Sequence, residues 1–282
     1  MGKRDALRGL SAFCFATAFG MWVGLVSPDL DENNFLTQAL SGAIMSPEIQ
    51  EAPLPETPRE TRVPIVVYHS VRPHIKGESE YQDVYDITPE LLEKQLEYLR
   101  ENNFTTITFK MLADYFDNKI SLPKKPVILS FDDSWHNQYE YAFPVLKEFN
   151  ATGTFFVFTN SLNHGNHMTL SEVKELRDAG MEIGSHTKTH PYLDEVVDPD
   201  ALKNEVANSK EILRLDLGVM IDTFAYPFGE HASSSIEAVK RAGYRTGRTL
   251  QKGTLQKESE RYTLPAFLTT DDIRDFIRMV NQ

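Results

Sequence analysis

The sequence has only one cysteine and no surplus of positive charge, and both absences restrict what the protein can do. Among 282 residues, Cys14 stands alone, which excludes an intramolecular disulfide and a zinc site built from several thiolates. Lys and Arg number 29 against 41 Asp and Glu, for a formal net charge of −12. Because nucleic-acid binding depends on clustered basic side chains, no nucleic-acid partner is expected.

Nucleotide-binding glycine motifs are also absent. No G-x-G-x-x-G sequence and no P-loop follows any predicted strand, which argues against a dinucleotide or nucleoside triphosphate cofactor. The composition is 41% hydrophobic and 25% charged, which is typical of a globular protein.

One long apolar segment occurs, near the N-terminus. It runs from Leu10 to Val26 without a charge and follows Lys3, Arg4 and Arg8. Its length is at the lower end for a membrane span, and the basic residues place its N-terminal end in the cytoplasm. We expect residues 1–26 to be a membrane anchor or a signal segment. The rest of the chain would be exported and held on the outer side of the cytoplasmic (inner) membrane, or secreted if this segment is cleaved.

The chain beyond this segment divides into two parts. Residues 27–62 are rich in Pro and Glu without a helical or strand period, so they are predicted to form an extended linker. In residues 63–282, short apolar segments alternate with helical patterns. This alternation predicts an α/β domain of parallel strands covered by helices, either an open sheet or a (β/α) barrel, with the barrel favoured.

Polar groups directly follow four of the predicted strands. They are His69 after the first strand, Asp132 and Asp133 after the third, His186 and His190 after the fifth, and the Tyr-Pro-Phe-Gly segment that starts at Tyr226 after the sixth. In a parallel α/β barrel the C-terminal ends of all strands open on one face, where catalytic groups lie. We therefore expect these groups to converge although they are far apart in the sequence.

The two histidines and one aspartate form a candidate metal site. Two neutral imidazoles and one carboxylate leave a coordination position open, as in catalytic divalent metal sites. This ligand set suits Zn²⁺, with Co²⁺ or Ni²⁺ as alternatives. The other carboxylate of the Asp-Asp pair stays ionised beside a cation and can act as a general base.

These motifs resemble a known family. Ser130-Phe-Asp-Asp133 and His186-Thr-Lys-Thr-His190 are similar to the first two motifs of the polysaccharide deacetylases, also called the NodB-homology family or carbohydrate esterase family four. Phe224-Ala-Tyr-Pro-Phe-Gly229 is similar to the third motif. The resemblance covers roughly Val63 to the C-terminus and implies a distorted (β/α) barrel of about seven parallel strands. It also implies that Asp132 is the general base and that the metal ligands are Asp133, His186 and His190.

The third motif supplies the part of the site that contacts the reacting carbonyl. The resemblance implies an oxyanion and substrate site formed by Tyr226, Pro227 and Phe228, in which the backbone N–H of Phe228 helps to stabilise the tetrahedral oxyanion. Two departures from the family pattern lie near these motifs. Ala225 stands where many members have an arginine that orients the base, and Ser134 replaces the usual glycine.

A third departure concerns the general acid. No histidine follows His231, so the C-terminal histidine that protonates the leaving group in much of the family is missing. In the branch with exported poly-N-acetylglucosamine deacetylases, an N-terminal strand supplies this histidine, and Ile65–Val71 resembles that strand. The resemblance therefore assigns His69 as the general acid.

These assignments predict a metal-dependent hydrolase that removes N-acetyl groups from an N-acetylglucosamine-containing cell-envelope polysaccharide and releases acetate. Two alternatives use the same residues. An O-acetyl esterase would act on a xylan-like polymer, or an amidase on a small molecule. A membrane-tethered sugar-binding module would keep the fold with weak catalysis, an interpretation that the Ser134 and Ala225 departures motivate.

Overall fold

The computed structural model describes residues 58–77 and 85–282, in which strands and helices alternate along the chain. The strands are β1 (Glu60–Arg62), β2 (Ile65–Tyr68), β3 (Ser70–Val71), β4 (Asp86–Ile87), β5 (Thr105–Thr106), β6 (Pro126–Phe131), β7 (Thr154–Val157), β8 (Glu182–Ser185), β9 (Thr223–Ala225), β10 (Thr246–Arg248), β11 (Leu255–Lys257) and β12 (Phe267–Leu268). The helices are α1 (Pro89–Glu101), α2 (Phe109–Phe116), α3 (Phe143–Glu148), α4 (Leu170–Asp178), α5 (Pro199–Lys203), α6 (Ser209–Leu217), α7 (Ser233–Arg241) and α8 (Ile273–Val280). Two π-helical turns, Gln138–Ala142 and Asn204–Asn208, lead into α3 and α6.

The main sheet is parallel and curled. Its strand order is β10-β9-β8-β7-β6-β2-β12, and β5 pairs with the start of β6. An isolated parallel bridge between Arg248 and Leu264 joins β10, at one edge, to the segment that leads into β12 at the other edge. The predicted distorted barrel of about seven parallel strands is confirmed.

The predicted N-terminal segments are mostly outside the described ranges. The predicted membrane segment, residues 1–26, lies outside them, as does the predicted linker up to residue 57. The last linker residues, Glu60–Arg62, form β1, which pairs antiparallel with Leu255–Lys257. Among the described residues, no helix has both the length and the apolar character needed to cross a membrane.

Side-chain caps fix the starts of several helices. The side chains of Thr88, Thr108, Thr169, Asp198 and Asp272 each accept a hydrogen bond from a backbone N–H in the first turn of the helix that follows. Such caps satisfy donors that a helix leaves free at its N-terminus. The helix starts are therefore set locally, and packing decides where each helix lies on the sheet.

Alternate strand residues enter two hydrophobic clusters, as the two-residue period of a strand requires. In β2, Val66 and Tyr68 belong to the cluster that contains α1, whereas Ile65 and Val67 belong to the cluster that contains α2. The second cluster also receives one or more residues from β6, β7 and β9, so it forms the interior of the curled sheet. This interior is apolar at the end covered by α2, and the polar residues collect at the other end.

Both ends of α2 are held by hydrogen bonds to acidic side chains. The carboxylate of Glu182, at the start of β8, accepts the backbone N–H groups of Phe109 at 2.8 Å and Lys110 at 2.9 Å. Asp117, directly after α2, accepts hydrogen bonds from Arg245 Nη2 at 2.7 Å and from Arg261 Nη1 at 2.9 Å. Burial alone would raise the pKa of Asp117, but these guanidinium groups lower it to about 2.

Asp117→Asn is expected to lower the free energy of unfolding at pH 7 by about 1 kcal/mol, because ion pairs that are partly open to solvent contribute little. The pKa of this carboxyl falls from 3.8 to about 2 on folding, so its contribution is present above pH 3.8 and disappears as the pH falls through about 2. Denaturant unfolding at pH 7 and pH 2 measures the difference. Asp178→Asn, which removes an exposed ion pair with Arg177, is the control. A difference that stays the same at pH 2 would contradict this role of Asp117.

Candidate active site

The register of the sheet brings the functional strand ends to one edge. Tyr68, the last residue of β2, pairs with Phe131, the last residue of β6. Ser185, the last residue of β8, pairs with Phe224 in β9. The residues that follow these strands therefore meet at the C-terminal edge of the sheet, opposite α2.

Asp133, His186 and His190 form a compact group of potential metal ligands. Asp133 Oδ1 lies 3.1 Å from His190 Nε2 and 3.4 Å from His186 Nε2, and the two Nε2 atoms are 3.2 Å apart. Asp133 Oδ1 is buried and has no hydrogen-bond partner. Two imidazole nitrogens that converge with this unpartnered carboxylate oxygen fit a divalent cation, and two nitrogens with one oxygen are ligands that Zn²⁺ accepts.

Backbone contacts and charge prepare these residues for a cation. His186 Nδ1 lies 2.8 Å from the carbonyl oxygen of Ala225; as the donor in this hydrogen bond it leaves the Nε2 lone pair directed at Asp133. Burial alone would raise the pKa of the Asp133 carboxyl, but the facing imidazoles of His186 and His190 hold it well below its usual range.

The two adjacent aspartates separate because the chain turns sharply between them. Asp132 continues the ladder of β6, and its N–H donates to the Tyr68 carbonyl at 2.9 Å. Asp133 and Ser134 both have positive φ, 72° and 61°, so the chain leaves the extended conformation at Asp133. A glycine adopts this conformation without strain, which explains why the family pattern has glycine at the Ser134 position. Ser134 keeps the turn, since its carbonyl accepts the N–H of Met168 at 2.8 Å.

Asp132 has a partner of its own. Arg248, the last residue of β10, is fully buried, and its Nη2 lies 2.5 Å from Asp132 Oδ2. The guanidinium also lies over the ring of Phe156, 5.3 Å from its centroid. Asp132 Oδ1 has only a long contact of 3.5 Å with Ser130 Oγ. One oxygen of Asp132 is therefore held by a buried cation, and the other is left for a further partner.

His69 is nearest to the second carboxylate oxygen of Asp133, Oδ2, whereas His186 and His190 face Oδ1. Its Nε2 is 4.0 Å from Asp133 Oδ2, and its Nδ1 is buried without a hydrogen-bond partner. Burial lowers the pKa of His69, while the carboxylates of Asp132 and Asp133 act in the opposite direction. The side-chain amide of Gln138 donates to the carbonyls of His69 and Asp132, which ties the ends of β2 and β6 together.

The turn of the third motif lies beside His190. Tyr226 is buried, and its ring packs against His231 with centroids 5.2 Å apart. Phe228 has a φ of 60° and is 43% exposed, and its ring meets that of His190 edge to face at 4.7 Å. Gly229 follows with a φ of 76°, and a Cβ there would lie 2.7 Å from the backbone nitrogen of Leu250, so only glycine fits.

Comparisons with known proteins agree with this geometry. Residues 119–247 match the family model described as "Polysaccharide deacetylase". The chain contains a polysaccharide deacetylase domain. YxkH of Bacillus subtilis strain 168 is 27% identical over 209 residues, covering 74% of this chain and 72% of YxkH. The poly-beta-1,6-N-acetyl-D-glucosamine N-deacetylase of Staphylococcus aureus strain MRSA252 is 26% identical over 201 residues, covering 67% of this chain and 69% of that protein.

A solved structure shows the same fold. The Streptococcus pyogenes deacetylase PplD in complex with acetate superposes with a TM-score of 0.71 at 25% identity, covering 79% of this chain and 99% of PplD. The predicted family and the predicted enzyme class, a polysaccharide deacetylase, are confirmed. The roles of the individual site residues stay predictions, although the structure gathers those expected at the site.

The deacetylase domain contains an arginine, Arg248, beside the predicted base Asp132. The sequence motifs did not predict this arginine. Ala225 stands where many family members have the base-orienting arginine, and Arg248 is its direct register partner on the neighbouring strand. The guanidinium therefore reaches Asp132 from one strand further along the sheet. A positional signal exists, because Arg248 is the last residue of β10 and therefore lies at the C-terminal end of a strand, where the other site residues collect. Gln138, in contrast, lies in a π-helical turn, and the sequence does not reveal which direction its side chain takes there.

Arg248→Ala should reduce acetate release at least about 100-fold, because Asp132 loses the group that orients it. It should also lower the free energy of unfolding by about 3–5 kcal/mol, because a buried carboxylate is left without its cation. Ala225→Arg in the Arg248→Ala background should recover part of both losses, since the two positions are register partners. Arg214→Ala, at an exposed ion pair with Glu211, is the control. Arg248→Ala behaving like this control in acetate release and in chemical denaturation would contradict the assignment.

Proposed function

We propose that this domain is a metal-dependent hydrolase that removes N-acetyl groups from an N-acetylglucosamine-containing polysaccharide of the cell envelope and releases acetate. The observation that carries the proposal is the separation of the adjacent carboxylates. Asp133 faces two imidazoles, whereas Asp132 pairs with buried Arg248. Hydrolysis of an amide needs an electrophilic centre and a general base side by side, and this arrangement supports both.

Asp133, His186 and His190 would hold the metal. A divalent ion bound there supplies Lewis-acid polarisation of the amide carbonyl and lowers the pKa of water. Asp132 accepts the proton of the attacking water at Oδ1, because Oδ2 is engaged by Arg248. The guanidinium pairs with this carboxylate in a buried position and fixes its direction.

His69 supports the second half of the reaction. A sugar amine is a poor leaving group unless it is protonated as the C–N bond breaks. His69 Nε2 faces the site across Asp133, at 4.0 Å from its Oδ2. We assign His69 as the donor of that proton.

The third-motif turn supports the oxyanion role of Phe228. Pro227 and Gly229 fix the turn on either side of Phe228, whose φ of 60° is sustained by the surrounding contacts. In this proposal the Phe228 N–H donates to the oxyanion, and Tyr226 supports the turn from the interior. A fixed donor needs no reorganisation during the reaction, which is the source of its catalytic benefit.

Three observations support an acetylated sugar polymer as the substrate. The Staphylococcus aureus relative is named as a poly-beta-1,6-N-acetyl-D-glucosamine N-deacetylase, and the PplD structure contains acetate. At the rim of the site, Tyr192 and Phe228 are both partly exposed, and their rings stack at 3.9 Å with an interplanar angle of 9°. A flat aromatic pair of this kind offers an apolar surface beside the reacting group for the face of a pyranose ring.

A panel of acetylated polymers tests the proposal. The protein should release acetate from poly-β-1,6-linked N-acetylglucosamine oligomers and not from O-acetylated xylan. A chelator should abolish release, and re-addition of Zn²⁺, Co²⁺ or Ni²⁺ should restore it, because Asp132 alone cannot activate water sufficiently. Activity confined to O-acetylated xylan would overturn the substrate class. Activity that survives complete metal removal would overturn the mechanism.

A further inference from the structure

The chain between the two histidine ligands adopts a conformation that it would not choose by itself. We call residues 186–190 the histidine loop. Within it Thr187 has a φ of 69° and His190 a φ of 62°. A positive φ is unusual for any residue with a side chain and is a clear outlier for a β-branched threonine. Such backbone persists only where the surroundings hold it.

Glu205 makes the densest set of contacts to this loop. It lies in the π-helical turn Asn204–Asn208 and is 7% exposed. Its Oε2 accepts the backbone N–H groups of Lys188 at 3.0 Å and Thr189 at 2.8 Å, and its Oε1 accepts the Thr189 hydroxyl at 2.9 Å. One carboxylate therefore satisfies two consecutive backbone donors and a hydroxyl midway between the two ligands.

The rest of the loop is braced from the sides. The N–H groups of Thr159 and Asn160, after β7, donate to the carbonyls of Thr187 at 3.2 Å and Lys188 at 2.9 Å. Ser209 Oγ, at the start of α6, lies 2.9 Å from the Ser185 hydroxyl at the end of β8. Hydrogen bonds thus connect the end of β8, the histidine loop and the segment from α5 to α6. Among the contacts named here, Glu205 contributes the only carboxylate.

The π-helical turn explains how Glu205 reaches the loop. Such a turn inserts one extra residue into a helix and changes the direction of the side chains there, and π turns occur often at functional sites. Glu205 sits within this insertion, and its own carbonyl accepts the Ser209 hydroxyl at 2.7 Å. The geometry therefore directs a buried carboxylate at the backbone that links His186 to His190.

We propose that Glu205 is a positioning residue that sets the metal affinity of the site by fixing the histidine loop. The inference rests on the proposed metal site, because it concerns the spacing of two of its ligands. Glu205 contacts the backbone between the ligands and takes no part in the proton transfers. Residues that hold metal ligands from outside commonly change metal affinity 10- to 100-fold when they are replaced.

Metal titration of purified protein tests this directly. Dissociation constants for Zn²⁺ are measured by competition with a chromophoric chelator, well below the melting temperature of each variant. Glu205→Ala should bind Zn²⁺ about 10- to 100-fold more weakly than the wild type. Glu205→Gln keeps one acceptor oxygen, so its Zn²⁺ affinity should lie between those of the wild type and Glu205→Ala. Glu211→Gln, on the exposed face of α6, is the matched control and should bind as the wild type does.

Amide hydrogen exchange of the metal-free protein gives a second readout. The Lys188 and Thr189 amides should be protected in the wild type and should exchange faster in the Glu205 variants. If Glu205→Ala does not fold, Glu205→Gln and Thr189→Val keep the test open, since each removes only part of the contact. Zn²⁺ affinities equal to that of the Glu211→Gln control would overturn the inference. Failure of the wild type itself to bind metal would instead refute the proposed function.

Discussion

The separation of two neighbouring carboxylates is the constraint on which the site depends. Asp132 and Asp133 are adjacent in sequence, and two carboxylates that share one buried space oppose each other's ionisation. In the structure each carboxylate has a different partner, a guanidinium for Asp132 and two imidazoles for Asp133. Arg248 holds Asp132 from within the sheet, and the imidazoles of His186 and His190 face Asp133. The positive φ of Asp133 makes this separation possible. Asp132 still follows the direction of β6, and the chain turns away from the strand at Asp133.

The barrel supplies these partners through its register. Its interior is filled with apolar side chains at the end that α2 covers, and it accepts one buried ion pair at the other end. Removing either partner of such a pair is costly, so the pair also fixes the positions of β6 and β10 relative to each other. The family's arginine position is occupied by Ala225, and its register partner on the next strand provides the guanidinium. A guanidinium on the neighbouring strand can therefore contact Asp132 although the family's arginine position holds alanine.

Much of this arrangement could be predicted from the sequence. The alternation of apolar segments and helical patterns predicts a parallel sheet, and the polar residues directly after four strands predict where the site lies. Arg248 could not be assigned to Asp132, because the two are brought together by strand register over a separation of 116 residues. Gln138 and Glu205 act from π-helical turns, whose single-residue insertions leave no periodic signal. Ser134 differs from the family's glycine in its side chain, but its backbone has the positive φ that glycine would adopt at this position.

Asp132 and Asp133 have different roles in this site, and a paired measurement on two isosteric variants distinguishes them. Zn²⁺ affinity and acetate release are measured for Asp132→Asn and Asp133→Asn under the same conditions. Asp132→Asn should bind Zn²⁺ as the wild type does and lose acetate release by about 100-fold or more. Asp133→Asn should bind Zn²⁺ at least about 100-fold more weakly, because a metal ligand is lost. Equal loss of metal binding in both variants, or undiminished acetate release in Asp132→Asn, would show that the two carboxylates do not have these separate roles.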